Sequence, residues 1–324
     1  MHRHLSASIA IDSLQNEWAK SAVALHQRKH RLTAAQILVE GIHPVEEALA
    51  AGLEPCALAI SATANHSPAL QALLSATAWP TVYTASERVM VKLSTTDSPA
   101  PCVAVFRHPH CANTTLLGLR PSTHPSLLIL DGLQDPGNVG TLIRSAVAFG
   151  VRAVLLTQQS VDPYSAKVIR ATAGLVFRLP VLETAQALGP LLQQLRQGPP
   201  DSSPDSSRDN AWQFYATSSH CSAAAQPYHQ LTLPKAWGLI IGHEGQGIRL
   251  ESVLSDPAEE MLDKTPDKSA DEAVQWLTIP MEAGVESLNA AMSGSIILAS
   301  WYEKQRTAQA EPPPEHFKAR EATP

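Results

Sequence analysis

Short, uninterrupted apolar runs recur along this chain, and the most apolar of them open directly into loops of small or turn-forming residues. Leu127 to Leu130 runs into Asp131-Gly132, Leu239 to Ile241 into Gly242-His243-Glu244-Gly245-Gln246-Gly247, and Leu277 to Ile279 into Pro280. A strand that is apolar at every position is buried on both faces, as in the interior of a parallel sheet. Nowhere does an apolar run reach the roughly 18 residues that a membrane helix needs, so a membrane span is not expected.

Helical patterns separate the strands. Residues 13–31 read as one helix ending in Arg28-Lys29-His30-Arg31. Gln36–Glu40 reads as a strand, and His43–Ala51 as a helix with Pro44 in its first turn. Strands at Cys56–Ile60, Thr81–Thr84 and Cys102–Phe106 alternate with helices near 68–77 and 86–93. Residues 13–107 therefore form a small α/β domain, and 108–125, rich in His and Pro, a linker. The second domain, 126–306, alternates strands at Leu127–Leu130, Val151–Thr157, Leu179–Leu182, Trp212–Thr217, Trp237–Gly242 and Trp276–Ile279 with helices at Val139–Phe149, Ser165–Ala173, Ala185–Gln197 and Ser287–Lys304. This is an α/β pattern with a mostly parallel sheet covered on both sides. Residues 198–210 read as a polar inserted loop, and 307–324 as a disordered tail.

Charge and cysteine usage narrow the function. The net charge of −6 argues against a uniformly basic nucleic-acid binder. The segment Asp256 to Glu272 alone carries seven acids against two lysines, so local basic clusters elsewhere can still meet phosphate. The four cysteines form no CxxC pair, which indicates free thiols in a reducing compartment. The start of the chain shows no apolar leader, so a cytoplasmic location is expected. No P-loop, no GxGxxG after a strand and no GxSxG elbow occurs. His26 and His30 have metal-ligand spacing on a helix, but exposed histidines in a basic helix are the simpler reading, and no metal is expected.

Three segments carry the candidate chemistry. In the first, the loop Asp131 to Gly137 leads into a helix with Asn138 as expected N-cap and Arg144 in its second turn. In the second, Glu244 sits at the mouth of a strand within a glycine-rich loop that lets backbone approach a ligand. In the third, a strand ends at Ile279-Pro280, and Ser287-Leu288-Asn289 opens a long helix whose free amides suit a polar ligand.

In this order the segments resemble the three signature motifs of the SpoU (TrmH-type) RNA 2'-O-ribose methyltransferases of the SPOUT superfamily, over about residues 126–304. Val39 to His43, followed by Glu46 to Leu49, similarly resembles the family's N-terminal L30e-like substrate-binding domain. The resemblance implies a catalytic domain with a deep trefoil knot, which threading rules would not anticipate. It implies S-adenosylmethionine as cofactor, held by Gly242, Ile279 and Leu288 with Thr217 joining them. Methyl transfer to a ribose 2'-hydroxyl would fall to Arg144, with Asn138, Glu244, Ser287 and Asn289 around it. It also implies a homodimer through the knot domain, for which Leu288, Met292, Ile296 and Ala299 have suitable spacing. RNA is the expected partner, ribosomal in preference to transfer RNA, with Arg28, Lys29 and Arg31 contacting phosphate. A non-catalytic RNA-binding factor of the same fold and a base-methylating relative are the rival readings. The spacing between Gly242 and Ile279 exceeds the family's usual value, and the acidic segment 256–272 is the excess.

Overall fold

A computed structural model describes residues 8–64, 67–96, 98–109, 116–197, 211–217, 225–243, 247–248 and 274–309. The inserted loop at 198–210, the acidic segment 256–272 and residues 310–324 lie outside these. Two sheets organise the chain. The first unit runs β1 (Ile9–Ile11), α1 (Glu17–Ala24), α2 (Arg28–Ala34), β2 (Gln36–Glu40), α3 (Ile42–Ala50), β3 (Pro55–Ser61), α4 (Pro68–Ala76), β4 (Val82–Ala85), α5 (Glu87–Leu93) and β5 (Cys102–Arg107). Its strand order is β1-β4-β3-β5-β2, with β5 antiparallel to both neighbours and the other pairs parallel.

The single helix expected over 13–31 is two helices. The Arg31 guanidinium donates to the carbonyls of Leu25 and His26 at 2.7 and 2.8 Å, satisfying groups freed where α1 ends. Strand β1 was not anticipated; it is three residues long and pairs only with β4. The sheet is apolar on both faces. Ile37, Val39, Leu58 and Phe106 enter one core, while Leu38, Ala59, Val103 and Val105 enter another beneath α1 and α5.

The second unit runs β6 (Ser126–Asp131), α6 (Pro136–Ala148), β7 (Ala153–Leu156), α7 (Ala166–Ala171), β8 (Val181–Glu183), α8 (Leu188–Gln197), β9 (Gln213–Thr217), β10 (Gln226–Pro227), β11 (Trp237–Gly242), β12 (Val274–Thr278) and α9 (Ala290–Gln309). Helix α9 starts three residues later than expected and takes in 307–309, which the sequence had assigned to the tail. The strand order is β10-β12-β9-β11-β6-β7-β8, and every described pair is parallel. Leu128, Leu130, Leu239 and Ile241 face α6 and α9, and Leu127, Ile129, Phe214 and Ile240 face α8. Glycines set the helix spacing: a Cβ at Gly140 would lie 2.3 Å from the Ala171 Cβ, and one at Gly294 2.4 Å from Leu142 Cδ2.

The two units share one apolar core, because Ile37 and Val39 of β2 belong to the same cluster as Val168 and Ile169 of α7. Polar contacts fix the docking. Glu47, 5% exposed, accepts two hydrogen bonds from Arg178, each 2.5 Å. Arg31, 3% exposed, pairs with Asp162, and Arg28 pairs with Glu183. The described ends of the expected linker are packed too: His108 is buried edge-on against Tyr164, and Trp212 Nε1 donates to His124 O at 2.8 Å. Gly174, at φ +85°, lies where a Cβ would sit 2.7 Å from Pro44 Cα in the first unit.

Gly174 and Gly52 provide a matched test. Both have positive φ, but nothing lies within 4 Å of a Cβ built on Gly52. Gly52→Ala should cost about 1 kcal/mol of left-handed strain. Gly174→Ala should cost about 1–3 kcal/mol more through the clash with Pro44, read as the difference in urea unfolding free energy. Equal losses would show that the units do not meet at Gly174.

Candidate active site

Because every strand of the second sheet runs the same way, their carboxyl ends gather at one edge. Registers bring distant residues level: Gly242 opposite Asp131, and Leu277 opposite Thr217. Strand order runs outward from β6 in both directions, and such a switch point is where open α/β sheets leave a crevice.

The first loop is pinned at its start. Thr157 Oγ1 donates to Asp131 Oδ1 at 2.7 Å and accepts from Gly132 N at 3.2 Å. The N-cap of α6 is Asp135, not Asn138: its Oδ1 accepts from Asn138 N at 2.7 Å, and Pro136 takes the first helical position. That Asp-Pro signal was readable in the sequence. Asn138, displaced from capping, instead accepts at Oδ1 from Asn289 Nδ2 at 3.0 Å. Asn289 in turn caps α9, its Oδ1 accepting from Ala291 N and Met292 N at 2.9 and 3.2 Å. One amide thus ties the first segment to the third. Arg144 stands exposed further along α6 and has no ion pair or hydrogen bond among the described residues.

Beyond β11 the chain folds back tightly. Gly247 N donates to His243 O at 2.8 Å. A Cβ on Gly242 would lie 2.5 Å from Ile248 Cγ1 and 2.9 Å from Gly247 O, so only glycine fits there without displacing the loop. Glu244 lies outside the described residues. Beyond β12, Ser287 and Leu288 are exposed in the loop before α9, so Ser287 is not inside the helix.

Thr217, Gly242, Ile279, Ser287 and Leu288 line one open cleft with about 680 Å³ of empty space. Met281 and Ser293 also line it and carried no sequence signal. Asn138, Arg144 and Asn289 are not among its lining residues, although both chain neighbours of Asn289 are. The basic run is arranged differently from expectation. Arg31 is buried against Asp162, whereas Arg28 is bonded to Glu183 yet stays half-exposed, and Lys29 is exposed with no partner among the described residues. The Glu183 hydrogen bond, opposed by partial burial, raises the Arg28 pKa. Among the described residues no three His, Cys, Asp or Glu side chains gather as metal ligands, and no helix is long and apolar enough to cross a membrane.

Residues 125–256 match the SpoU rRNA Methylase family, and residues 16–104 an MRM3-like substrate binding domain. A tRNA/rRNA methyltransferase of Synechocystis is 33% identical over 307 residues, 93% of this chain and 96% of that one. The chain belongs to the SpoU rRNA methylase family. Another SpoU-type relative, the 23S rRNA (guanosine(2553)-2'-O)-methyltransferase RlmP of Bacillus subtilis, is 28% identical, covering 89% of this chain and 97% of RlmP. Among solved structures, an AdoMet-bound rRNA methyltransferase from Sinorhizobium meliloti superposes with TM-score 0.71 at 25% identity, covering 93% of this chain and 99% of that one. An RNA 2'-O ribose methyltransferase gives TM-score 0.71 at 29% identity, covering 92% and 100%.

For this SpoU member, substitutions at Asn289 separate capping from the cross-link. Asn289→Ala should lower unfolding free energy by about 1 kcal/mol, whereas Asn289→Asp keeps the capping acceptor and should stay within about 0.5 kcal/mol of the parent. A stable Asn289→Ala protein in urea titration would mean that α9 is not capped there.

Proposed function

We propose that the chain transfers a methyl group from S-adenosylmethionine to a ribose 2'-hydroxyl of ribosomal RNA. The observation that carries this is the carboxyl edge of the second sheet: the cleft formed by the loops after β9, β11 and β12 opens there, and the Asn138–Asn289 hydrogen bond ties the start of α6, the helix that carries the exposed Arg144, to the start of α9. The cleft suits the cofactor. Ile279, Met281 and Leu288 offer apolar surface next to backbone at the ends of β11 and β12, the mixed lining of a small-molecule site. Gly242, Ile279 and Leu288 would hold the cofactor, with Thr217 at the neighbouring strand end. The cofactor, when bound, supplies the electrophilic methyl on its sulfonium.

The remaining work falls to the chain's side chains. A ribose hydroxyl is a weak nucleophile and develops negative charge as it attacks. A guanidinium is a poor base and a good hydrogen-bond donor, so the role of Arg144 is to stabilise that charge and orient the adjacent phosphate rather than to take the proton. Asn138 and Asn289, held in one orientation by their mutual hydrogen bond, position Arg144 and the ribose. Glu244 would secure the glycine-rich loop and Ser287 the cofactor side of the cleft. We further propose the division into 13–107, 108–125 and 126–306, the trefoil knot in the last, a cytoplasmic location, and a homodimer. The exposed apolar side chains of Val285, Leu288 and Met292, around the start of α9, support the dimer. The retained set Asn138, Arg144, Ser287 and Asn289 favours an enzyme over a non-catalytic RNA-binding factor. The rRNA-specific names of relatives favour ribosomal over transfer RNA.

Arg144→Ala should lower kcat about 100-fold or more while changing the calorimetric Kd for S-adenosylmethionine less than threefold. Unchanged turnover removes Arg144 from the mechanism. Gly242→Val should do the reverse first, weakening cofactor binding by displacing Gly247. Retained affinity in that variant would move the cofactor out of this cleft.

A further inference from the structure

A second pocket lies on the first unit, on the sheet face turned away from the methyl-transfer unit. It opens between α1 and the strand ends, with about 540 Å³ of empty space, and Trp18, Ser21, Gln36, Cys56, Thr81 and Tyr83 are among its lining residues. Its face follows from alternation: Gln36 lies on the side of Leu38, in the outer core, whereas Ile37 and Val39 join the core shared with the second unit.

Three features set the pocket apart from ordinary packing. Trp18 and Tyr83 are stacked, with ring centroids 4.2 Å apart and planes at 27°, and lie half-buried at the edge of the outer core. The register of β3 slips between Pro55 and Ala57, so Cys56 is the extra residue of a bulge, a device that re-aims a side chain at the sheet end. Around the rings the lining is mixed: a carboxamide at Gln36 and hydroxyls at Ser21 and Thr81 stand beside apolar Ala22, Leu25, Ala57 and Val105. Arg107 sits directly across from Gln36 in the β2–β5 ladder, which puts the two side chains on the same face; it is exposed, and its Nε lies 3.8 Å from the exposed Glu54 carboxylate, a solvent-screened pair that leaves the guanidinium open to a second anion. An aromatic platform, hydrogen-bonding groups at its edge and a cation at the rim match the parts of a nucleotide: base plane, base edge and phosphate.

We propose that this pocket takes an unpaired nucleobase of the RNA substrate, stacked on the Trp18–Tyr83 pair with its phosphate toward Arg107. The proposal rests on the RNA methyltransferase reading and gives the first unit a base-binding site separate from the Arg28–Arg31 run.

Cys56 is a built-in reporter. Burial raises its pKa, so alkylation is followed at pH 9, and peptide mass spectrometry reads Cys56 separately from the other cysteines. In the full-length protein, a saturating single-stranded RNA oligonucleotide should slow Cys56 alkylation about tenfold, S-adenosylmethionine should leave it unchanged, and millimolar nucleoside monophosphates should protect partially. Ser21→Phe, at an exposed rim position, should raise KM for RNA about tenfold with kcat and cofactor affinity intact. Thr81→Val, of similar volume, should shift KM in the same direction. Unchanged alkylation under RNA, or unchanged KM in both variants, overturns the assignment. Protection by monophosphates without protection by RNA overturns it in favour of a free-nucleotide site. Absence of methyl transfer by the parent protein, with Cys56 still protected by RNA, would instead count against the enzymatic reading and leave the pocket standing.

Discussion

Parallel pairing of β6 with β11 is the constraint on which the site depends. It sets Gly242 level with Asp131, and β9 and β12 extend the alignment to Thr217 and Leu277. Loops separated by more than half the unit's length therefore begin at one height on one edge. Close helix packing completes the arrangement. Gly140 and Gly294 let α6 approach α7 and α9, and this holds Asn138 and Asn289 within one hydrogen bond of each other. Removing the shared register would scatter the three segments without altering a single functional side chain.

A second constraint is the junction between the units. Burying Glu47, Arg31 and Asp162 is unfavourable unless each is paired, and here each is paired across the interface or within it. Such contacts are weak evidence for net stability but strong evidence for orientation, since a shifted junction would leave charges buried alone. The two units thus present a fixed relation between a substrate-binding surface and the methyl-transfer cleft. The same pairing buries Arg31 and holds the half-exposed Arg28 against Glu183.

Much of this architecture was legible in the residues. The apolar runs from Leu127 and Leu239 specified inner parallel strands, and the glycine-rich loop after Ile241 marked where the chain turns back. The departures have physical causes. Helix 13–31 breaks because Arg31 reaches back to the carbonyls of Leu25 and His26, a contact invisible to apolar periodicity. Asn138 looked like a cap, but Asp135 with Pro136 wins the position, which frees Asn138 for Asn289. The basic run suggested phosphate because sequence shows charge but not its distant partner; Asp162 and Glu183 lie more than a hundred residues away. The aromatic pocket was likewise unreadable, since Trp18 and Tyr83 meet only through sheet topology.

The central claim is the chemistry at the carboxyl edge of the second sheet. The most direct measurement is incubation of the full-length protein with methyl-labelled S-adenosylmethionine and unmodified ribosomal RNA, followed by nuclease digestion and mass spectrometry of the nucleosides. The account predicts label in a 2'-O-methylnucleoside at one position, absent when Arg144 is replaced by alanine. Label on a base, or no label in RNA despite cofactor binding, would contradict it.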